Sequence, residues 1–261
     1  MKDQNKIKVI FLGTGTSIGV PVIGCDCRVC KSADKRDKRF RTSIYLEYMG
    51  VSLVVDTGPD FRIQMLRENI ENIDAVLFTH EHRDHIAGLD DIRAFNYVLN
   101  KRIDIYGSER VIDSIRTEFP YIFSEGRYFG APQLNVNVID KEPFMIGSLP
   151  VIPIQVMHDK LPIFGFRFGN FTYITDGSLI TDEELKKCKG SKVLVINALR
   201  NSRHVSHFSL QEAVEVIQKI NPEKAYLTHM SHFIGLQSEM EAQLPGYIRP
   251  AYDGLRIEVE E

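Results

Sequence analysis

The side chains able to do metal chemistry are crowded into a few places in this 261-residue chain. All eight histidines fall in four groups: His80, His82 and His85; His158; His204 and His207; and His229 and His232. Apolar, strand-like runs lead into several of them. Ala75–Thr79 ends at His80, Ile154–Met157 at His158 and Ala225–Thr228 at His229, and Phe171–Thr175 ends in the same way at Asp176. A strand end is rigid and the loop beyond it is exposed, so ligands delivered there can converge in a cleft. In His80-x-His82-x-Asp84-His85, alternate residues leaving a strand can turn two imidazoles toward one metal. The turn that follows can aim Asp84 and His85 at a second. Imidazole suits zinc, iron or manganese, and a carboxylate can bridge two cations. Such a pair binds hydroxide at neutral pH and clamps a phosphoryl or carbonyl oxygen, which is metal-assisted hydrolysis.

The elements that must carry these residues alternate in type. Period-two and short apolar runs predict strands at Lys8–Leu12, Ser43–Tyr48, Ser52–Val55, Ala75–Thr79, Ile103–Tyr106, Leu149–Val156, Phe171–Thr175, Lys192–Asn197 and Lys224–Thr228. Helical spacing predicts Asp60–Asn69, Gly88–Leu99, Glu109–Glu118, Asp182–Cys188 and Leu210–Ile220. Thr181 with Glu184, and Ser209 with Glu212, have capping-box spacing. Ala213, Val214, Ile217 and Ile220 form an apolar stripe. Strands followed by helices in each half predict an α/β (α+β) chain of sheets covered by helices. With no repeat or linker composition, the expectation is one domain over residues 1–261.

Composition narrows the function classes. A net charge of -3 and a pI near 6.3 weigh against a nucleic-acid partner. No run approaches the ~20 apolar residues of a membrane helix. Residues Met1–Lys8 are charged, and the apolar run Val9–Leu12 is too short for a secretory segment. Three of the four cysteines, Cys25, Cys27 and Cys30, are crowded together, whereas Cys188 stands alone on a predicted helix as an ordinary buried or half-buried residue. Clustered thiols in a chain of this length read as metal ligands in a reducing compartment, so the expected location is cytoplasmic. Residues Gly13–Gly19 follow a strand, but the third glycine comes one residue too late for G-x-G-x-x-G. They are read as a tight turn near the site. The charged stretch Lys31–Arg41 is read as a solvated loop, with phosphate contact by Arg39 or Arg41 as the sharper alternative.

Taken together, Phe11-Leu-Gly-Thr-Gly, Asp56-Thr-Gly58-Pro-Asp60, the His80 motif, His158, Asp176 and His229 resemble the metallo-β-lactamase-fold hydrolases over nearly the whole chain. The resemblance implies a four-layer αββα sandwich with metals at one edge of its two sheets. Position by position it implies His80, His82 and His158 on a first metal and Asp84, His85 and His229 on a second. Asp176 bridges both, and Asp56 lies below them as an orienting hydrogen-bond partner. Asp176 stands where lactamases proper commonly carry cysteine, and His82 where di-iron oxygen reductases carry an acid. No basic arm like that of the tRNA 3′-end endonucleases is evident. Cys25, Cys27 and Cys30 with His232 resemble the structural zinc of the cyclic-phosphate phosphodiesterase of the phosphonate-degradation (carbon–phosphorus lyase) pathway. In that branch a histidine at the place of His207 acts on the phosphate or the leaving oxygen, and catalysis is assigned to His207 and Asp84.

These expectations describe a phosphoric diester hydrolase with two catalytic divalent metals (zinc, manganese or iron) and one structural zinc. Its substrate would be a small cyclic, ribosyl or nucleotide-like phosphodiester, and a homodimer is left open. The rival readings are a thioester or acyl hydrolase on the same fold and a non-hydrolytic metal-binding carrier of cofactor biosynthesis. His204 is read as a polar loop residue near the pocket. Arg83 points away from the metals, with a substrate phosphate as its other partner.

Overall fold

The computed structural model describes residues 6–124, 126 and 130–261. The charged residues 1–5, part of the argument against a secretory segment, lie outside that range. Among the described residues, fourteen strands form two seven-stranded sheets. The first half of the chain supplies β1 (Lys6–Gly13), β2 (Ser43–Tyr48), β3 (Val51–Val55), β4 (Ala75–Leu77), β5 (Ile103–Gly107) and β6 (Leu134–Val138). The second supplies β7 (Phe144–Ile146), β8 (Leu149–His158), β9 (Leu161–Phe168), β10 (Phe171–Ile174), β11 (Val193–Asn197), β12 (Lys224–Thr228) and β13 (Ile248–Pro250). A last strand, β14 (Arg256–Glu260), returns to the first sheet and pairs antiparallel with β1.

Both sheets are wired alike. In the first, β1, β2 and β3 run antiparallel and β3 to β6 run parallel. In the second, β7 to β10 are antiparallel and β10 to β13 parallel. Helices connect the parallel strands, as crossovers require.

Strand alternation sorts the apolar side chains into layers. Ile7, Val9 and Phe11 of β1 face the core between the sheets, together with Leu53, Phe166, Tyr173 and Val195. Ile10 and Leu12 of the same strand face helices 61–68, 93–99 and 109–118 with Val54, Ile103 and Ile105. On the far side, Leu194 and Ile196 of β11 meet helices 182–188, 210–220 and 237–243. The result is helix, sheet, sheet, helix: the expected four-layer sandwich. In helix Leu210–Ile220 the buried stripe is Ala213, Val216, Ile217 and Ile220, with Val214 only half-buried. Ser209 makes the full capping box with Glu212. Thr181 makes only half of one, because the Glu184 carboxylate is drawn across to accept from the Gln155 N–H at 2.8 Å. Cys188 is buried as expected. No helix among the described residues is long and apolar enough to cross a membrane.

Candidate metal centre

β3, β4, β8, β10 and β12 all end at one edge of the sandwich, where ligands of open α/β sheets gather. Asp56 follows β3, His158 is the last residue of β8 rather than the first beyond it, and Asp176 and His229 follow β10 and β12. Asp56, Asp176 and His229 have φ of 66°, 61° and 51°. This left-handed conformation costs most residues ~1–3 kcal/mol, and Asp and His adopt it more readily than others. It turns each chain sharply off its strand and leaves the side chain over the edge.

The His80 motif occupies the loop after β4 and the one-turn helix Arg83–Ile86. Asp56 anchors it from below. Its carboxylate accepts from the Thr79 N–H and hydroxyl, both at 2.8 Å, and from His85 Nδ1 at 2.7 Å. Gly58 is needed beside it, since a Cβ there would lie 2.2 Å from the Asp84 carbonyl oxygen.

The expected ligand residues fall into the expected groups. His80, His82 and His158 form one, and Asp84, His85, Asp176 and His229 another, with potential donor atoms in each within 4.8 Å of one another. Asp176 lies between the imidazoles: its carboxylate oxygens are 3.5 Å from His85 Nε2 and 3.1 Å from His229 Nε2. Asp84 Oδ2 is 3.3 Å from the same His85 nitrogen. His207, after β11, joins His158 and Asp176 in a third, overlapping group. Its ring stacks on His229 with centroids 4.8 Å apart.

The electrostatics fit a cation. Burial alone would raise Asp84 and Asp176, but His85 and His229 hold both carboxyls well below the usual range. Burial alone would lower His85 and His229. Asp176 and Asp84 outweigh it, holding His85 well above its ordinary value and His229 at about 9. The field at this edge therefore calls for positive charge. His85 Nε2 and His229 Nε2 are buried with no hydrogen-bond partner, as metal-facing nitrogens would be. Outside the acidic group the sign reverses: burial and His229 push His207 down to about 3, and burial and His85 depress His80.

Cys25, Cys27, Cys30 and His232 form a separate group. The three sulfurs lie 3.3, 3.5 and 3.4 Å from His232 Nδ1. A tetrahedral zinc with ordinary Zn–S and Zn–N bonds has sulfur–nitrogen edges of roughly 3.5 Å. These residues therefore fit a closed structural site.

The beta-lactamase superfamily domain matches residues 52–230, which span β3 to the residue after His229. The chain belongs to this superfamily. It is 40% identical over 258 residues to an octanoyltransferase of Porphyromonas gingivalis, which covers 98% of this chain and 52% of the relative. It is 28% identical over 177 residues to a ribonuclease Z of Nanoarchaeum equitans, covering 60% of this chain and 52% of that protein. The chain thus spans about half the length of these curated relatives. Among solved structures, a new diphosphatase from the PhnP family superposes with a TM-score of 0.91 at 38% identity, with 98% of each chain covered. The chain therefore has the fold and relatives of the superfamily's metal-dependent hydrolases.

The reading of the charged stretch Lys31–Arg41 needs correcting at Arg39. Arg39 is neither solvated nor free for phosphate, because it is buried and donates to Thr14 Oγ1, the Ala251 carbonyl and Gln237 Oε1. Arg41 is paired with Asp60 at 3.2 Å. Arg83 is exposed and pairs with Glu118. The Gly13–Gly19 turn does lie beside the site, since the Thr14 carbonyl accepts from the Met230 N–H at 2.9 Å. His204 is bound by the Ser206 N–H, with its ring 5.3 Å from that of His207.

Sequence reasoning missed the threonines that precede three ligands. Thr79, Thr175 and Thr228 are buried. Thr79 Oγ1 is 2.9 Å from His80 Nδ1, Thr175 donates to Asp176, and Thr228 bonds Thr42 across the two sheets at 2.9 Å. The repeated pattern of apolar residue, threonine and ligand was the available signal.

Proposed function

We propose that this chain is a metal-dependent phosphoric ester hydrolase acting on a small cyclic, ribosyl or nucleotide-like phosphodiester. His80, His82 and His158 would hold one divalent metal and Asp84, His85 and His229 a second, with Asp176 shared. Bound there, the pair supplies Lewis acidity toward the phosphoryl oxygens and acidity to a water. Cys25, Cys27, Cys30 and His232 would hold a structural zinc.

The observation that carries the reading is the position of His207. It stands outside the seven proposed ligands yet packs against His158, with centroids 4.7 Å apart, and against His229. A neutral imidazole N–H there can donate a hydrogen bond to a substrate oxygen as negative charge builds on it. Asp84 Oδ2 lies 3.3 and 3.8 Å from the Nε2 atoms of His85 and His229, so that all three would face one metal. Buried imidazoles and the Asp56–Thr79 bonds keep the ligand loop from relaxing as substrate enters. The diphosphatase and ribonuclease Z relatives add weight to phosphorus as the electrophile.

A second reading, acyl or thioester hydrolysis, is favoured by one observation: the 40% identical relative is an octanoyltransferase. Purified, metal-loaded protein should be assayed side by side on an aryl phosphodiester, a cyclic ribose phosphodiester, a nucleoside diphosphate and an octanoyl thioester. Preference for the diesters supports the proposal. Preference for the thioester replaces it with the acyl reading, and inactivity on all four favours a carrier role.

A further inference from the structure

We infer that Arg39 is a positioning residue for His229, acting through Thr14. The inference rests on the metal-centre reading above.

The proposed ligand histidines differ in what holds their far nitrogens. His80, His85 and His158 each have the nitrogen turned away from the proposed metal engaged, by Thr79 Oγ1, Asp56 and the Asp176 carbonyl at 2.9, 2.7 and 2.8 Å. Such partners fix the ring and its tautomer. His229 has none, for both its Nδ1 and its Nε2 are buried without a hydrogen-bond partner. On its metal-facing side Nε2 meets the Asp176 and Asp84 carboxylates, and its faces lie nearly parallel to His207 and His85 at 24° and 16°. Stacking resists tilt but permits sliding, so the backbone must place this ring.

That backbone is left-handed at His229 and is caught immediately afterwards, where the Met230 N–H donates to the Thr14 carbonyl at 2.9 Å. Thr14 is fully buried, and its hydroxyl is held from two sides. Arg39 Nη1 donates to it at 2.8 Å, and it donates to Asp253 Oδ1 at 2.8 Å. The other Arg39 bonds reach the Ala251 carbonyl and Gln237 Oε1, both at 2.7 Å. The Gln237 backbone N–H in turn donates to Asp37 Oδ1 at 2.7 Å. The Arg39 backbone pairs with Val20 in both directions, at the base of the cysteine loop. One planar guanidinium thus sets the spacing of residues 14, 237 and 251. A lysine, a point charge on a flexible stem, would not reproduce that fork.

The test measures metal binding by the full chain rather than turnover. Wild type, Thr14→Val, Arg39→Met, Arg39→Lys and Cys188→Ala are stripped of exchangeable metal and titrated with Co(II) against a chelator. Ligand-field bands report the nitrogen and oxygen centre, and thiolate charge-transfer bands report the cysteine site. Cys188→Ala, in the helix-side core, controls for general loss of stability. The expected result is two Co(II) in the wild-type centre and weaker binding of one of them in Thr14→Val and Arg39→Met. The loss should be at least about tenfold, as for other groups that orient ligands. Arg39→Lys should not restore it, and Cys188→Ala should bind as wild type does. Unchanged Co(II) affinity in both Thr14→Val and Arg39→Met overturns the inference. So does an equal loss in Cys188→Ala at a matched melting temperature. Fewer than two Co(II) in the wild-type centre would overturn the metal-centre reading itself, a distinct result.

Discussion

Asp56 Oδ2 lies 2.7 Å from His85 Nδ1, and neither side chain has any exposed surface. This contact decides which nitrogen of His85 faces the site. With Nδ1 engaged below, Nε2 is left toward Asp84 and Asp176. A buried carboxylate is otherwise costly. Burial raises Asp56, and His85 together with the Thr79 donors offsets part of that rise.

Replacing Asp56 with asparagine keeps the shape but removes the charge that orients His85. Metal affinity at the centre should fall by about 10- to 100-fold, as for other groups that orient ligands. Chelator competition measures this. Wild-type affinity in Asp56→Asn would make the contact structural only.

Gly58→Ala tests the close approach of two loops. The added methyl would meet the Asp84 carbonyl at 2.2 Å, so one loop must move. Activity should drop at least about tenfold, because displacing a catalytic group by about 1 Å can cost ~10²-fold. Steady-state rates with a far-ultraviolet check of folding decide it.

Asp176→Ala removes the carboxylate set between the two imidazoles. Hydrolysis should fall to background, and elemental analysis should show metal lost from the centre with the cysteine-site zinc retained. Wild-type rates after metal reconstitution would end the assignment.

Cys30→Ser should lower zinc by one per chain. It should also lower the melting temperature by several degrees, since ~1 kcal/mol shifts a domain of this size by about 2–4 °C. Unchanged zinc content would show that the four residues hold no metal.

A pH dependence follows from Asp253. Burial pushes its carboxyl up to about 6, with the Phe40 N–H and the Thr14 hydroxyl resisting. An unfolded aspartate titrates near 4. Between those values the folded chain holds a proton that the unfolded chain has lost, so this group's contribution falls as pH rises through that window and is flat above it. Asp253→Asn removes that slope. Measured by urea unfolding, the variant should gain on wild type by up to roughly 3 kcal/mol between pH 4 and pH 7. A pH-independent difference would contradict this.

The strands and helices with strong periodicity were legible in the sequence, and helices Glu109–Glu118, Asp182–Cys188 and Leu210–Ile220 match residue for residue. Strands β6, β7, β9, β13 and β14 escaped notice, and for β9 the reason is physical. β9 carries Pro162 and Gly165, both poor strand formers. Pro162, which has no N–H to donate, is tolerated opposite Met157 because the Met157 carbonyl accepts instead from the Ser178 N–H at 2.7 Å. At Gly165 a Cβ would come within 2.8 Å of the Tyr173 carbonyl of β10. Helix Arg83–Ile86 is four residues long, too short to show a period, and exists because the His82 carbonyl accepts from both His85 and Ile86.

The order and chemical types of the proposed ligands were determined by the sequence alone, because His80, His158, Asp176 and His229 stand at or beside the ends of strands that local apolar pattern is enough to form, and the others follow His80 within one short motif. The split of His80 and His82 from Asp84 and His85 follows from local geometry within the motif, whereas the places of His158, Asp176 and His229 followed from the family resemblance. The roles of the arginines were decided only by the tertiary structure. Arg39 and Arg41 are two residues apart in one charged stretch, yet the first is buried and the second paired at the surface. What separates them is the arrival of acceptors from residues 14, 237 and 251, up to 212 positions away. A buried charge is tolerated only where such partners converge, and convergence over that distance leaves no trace in local spacing.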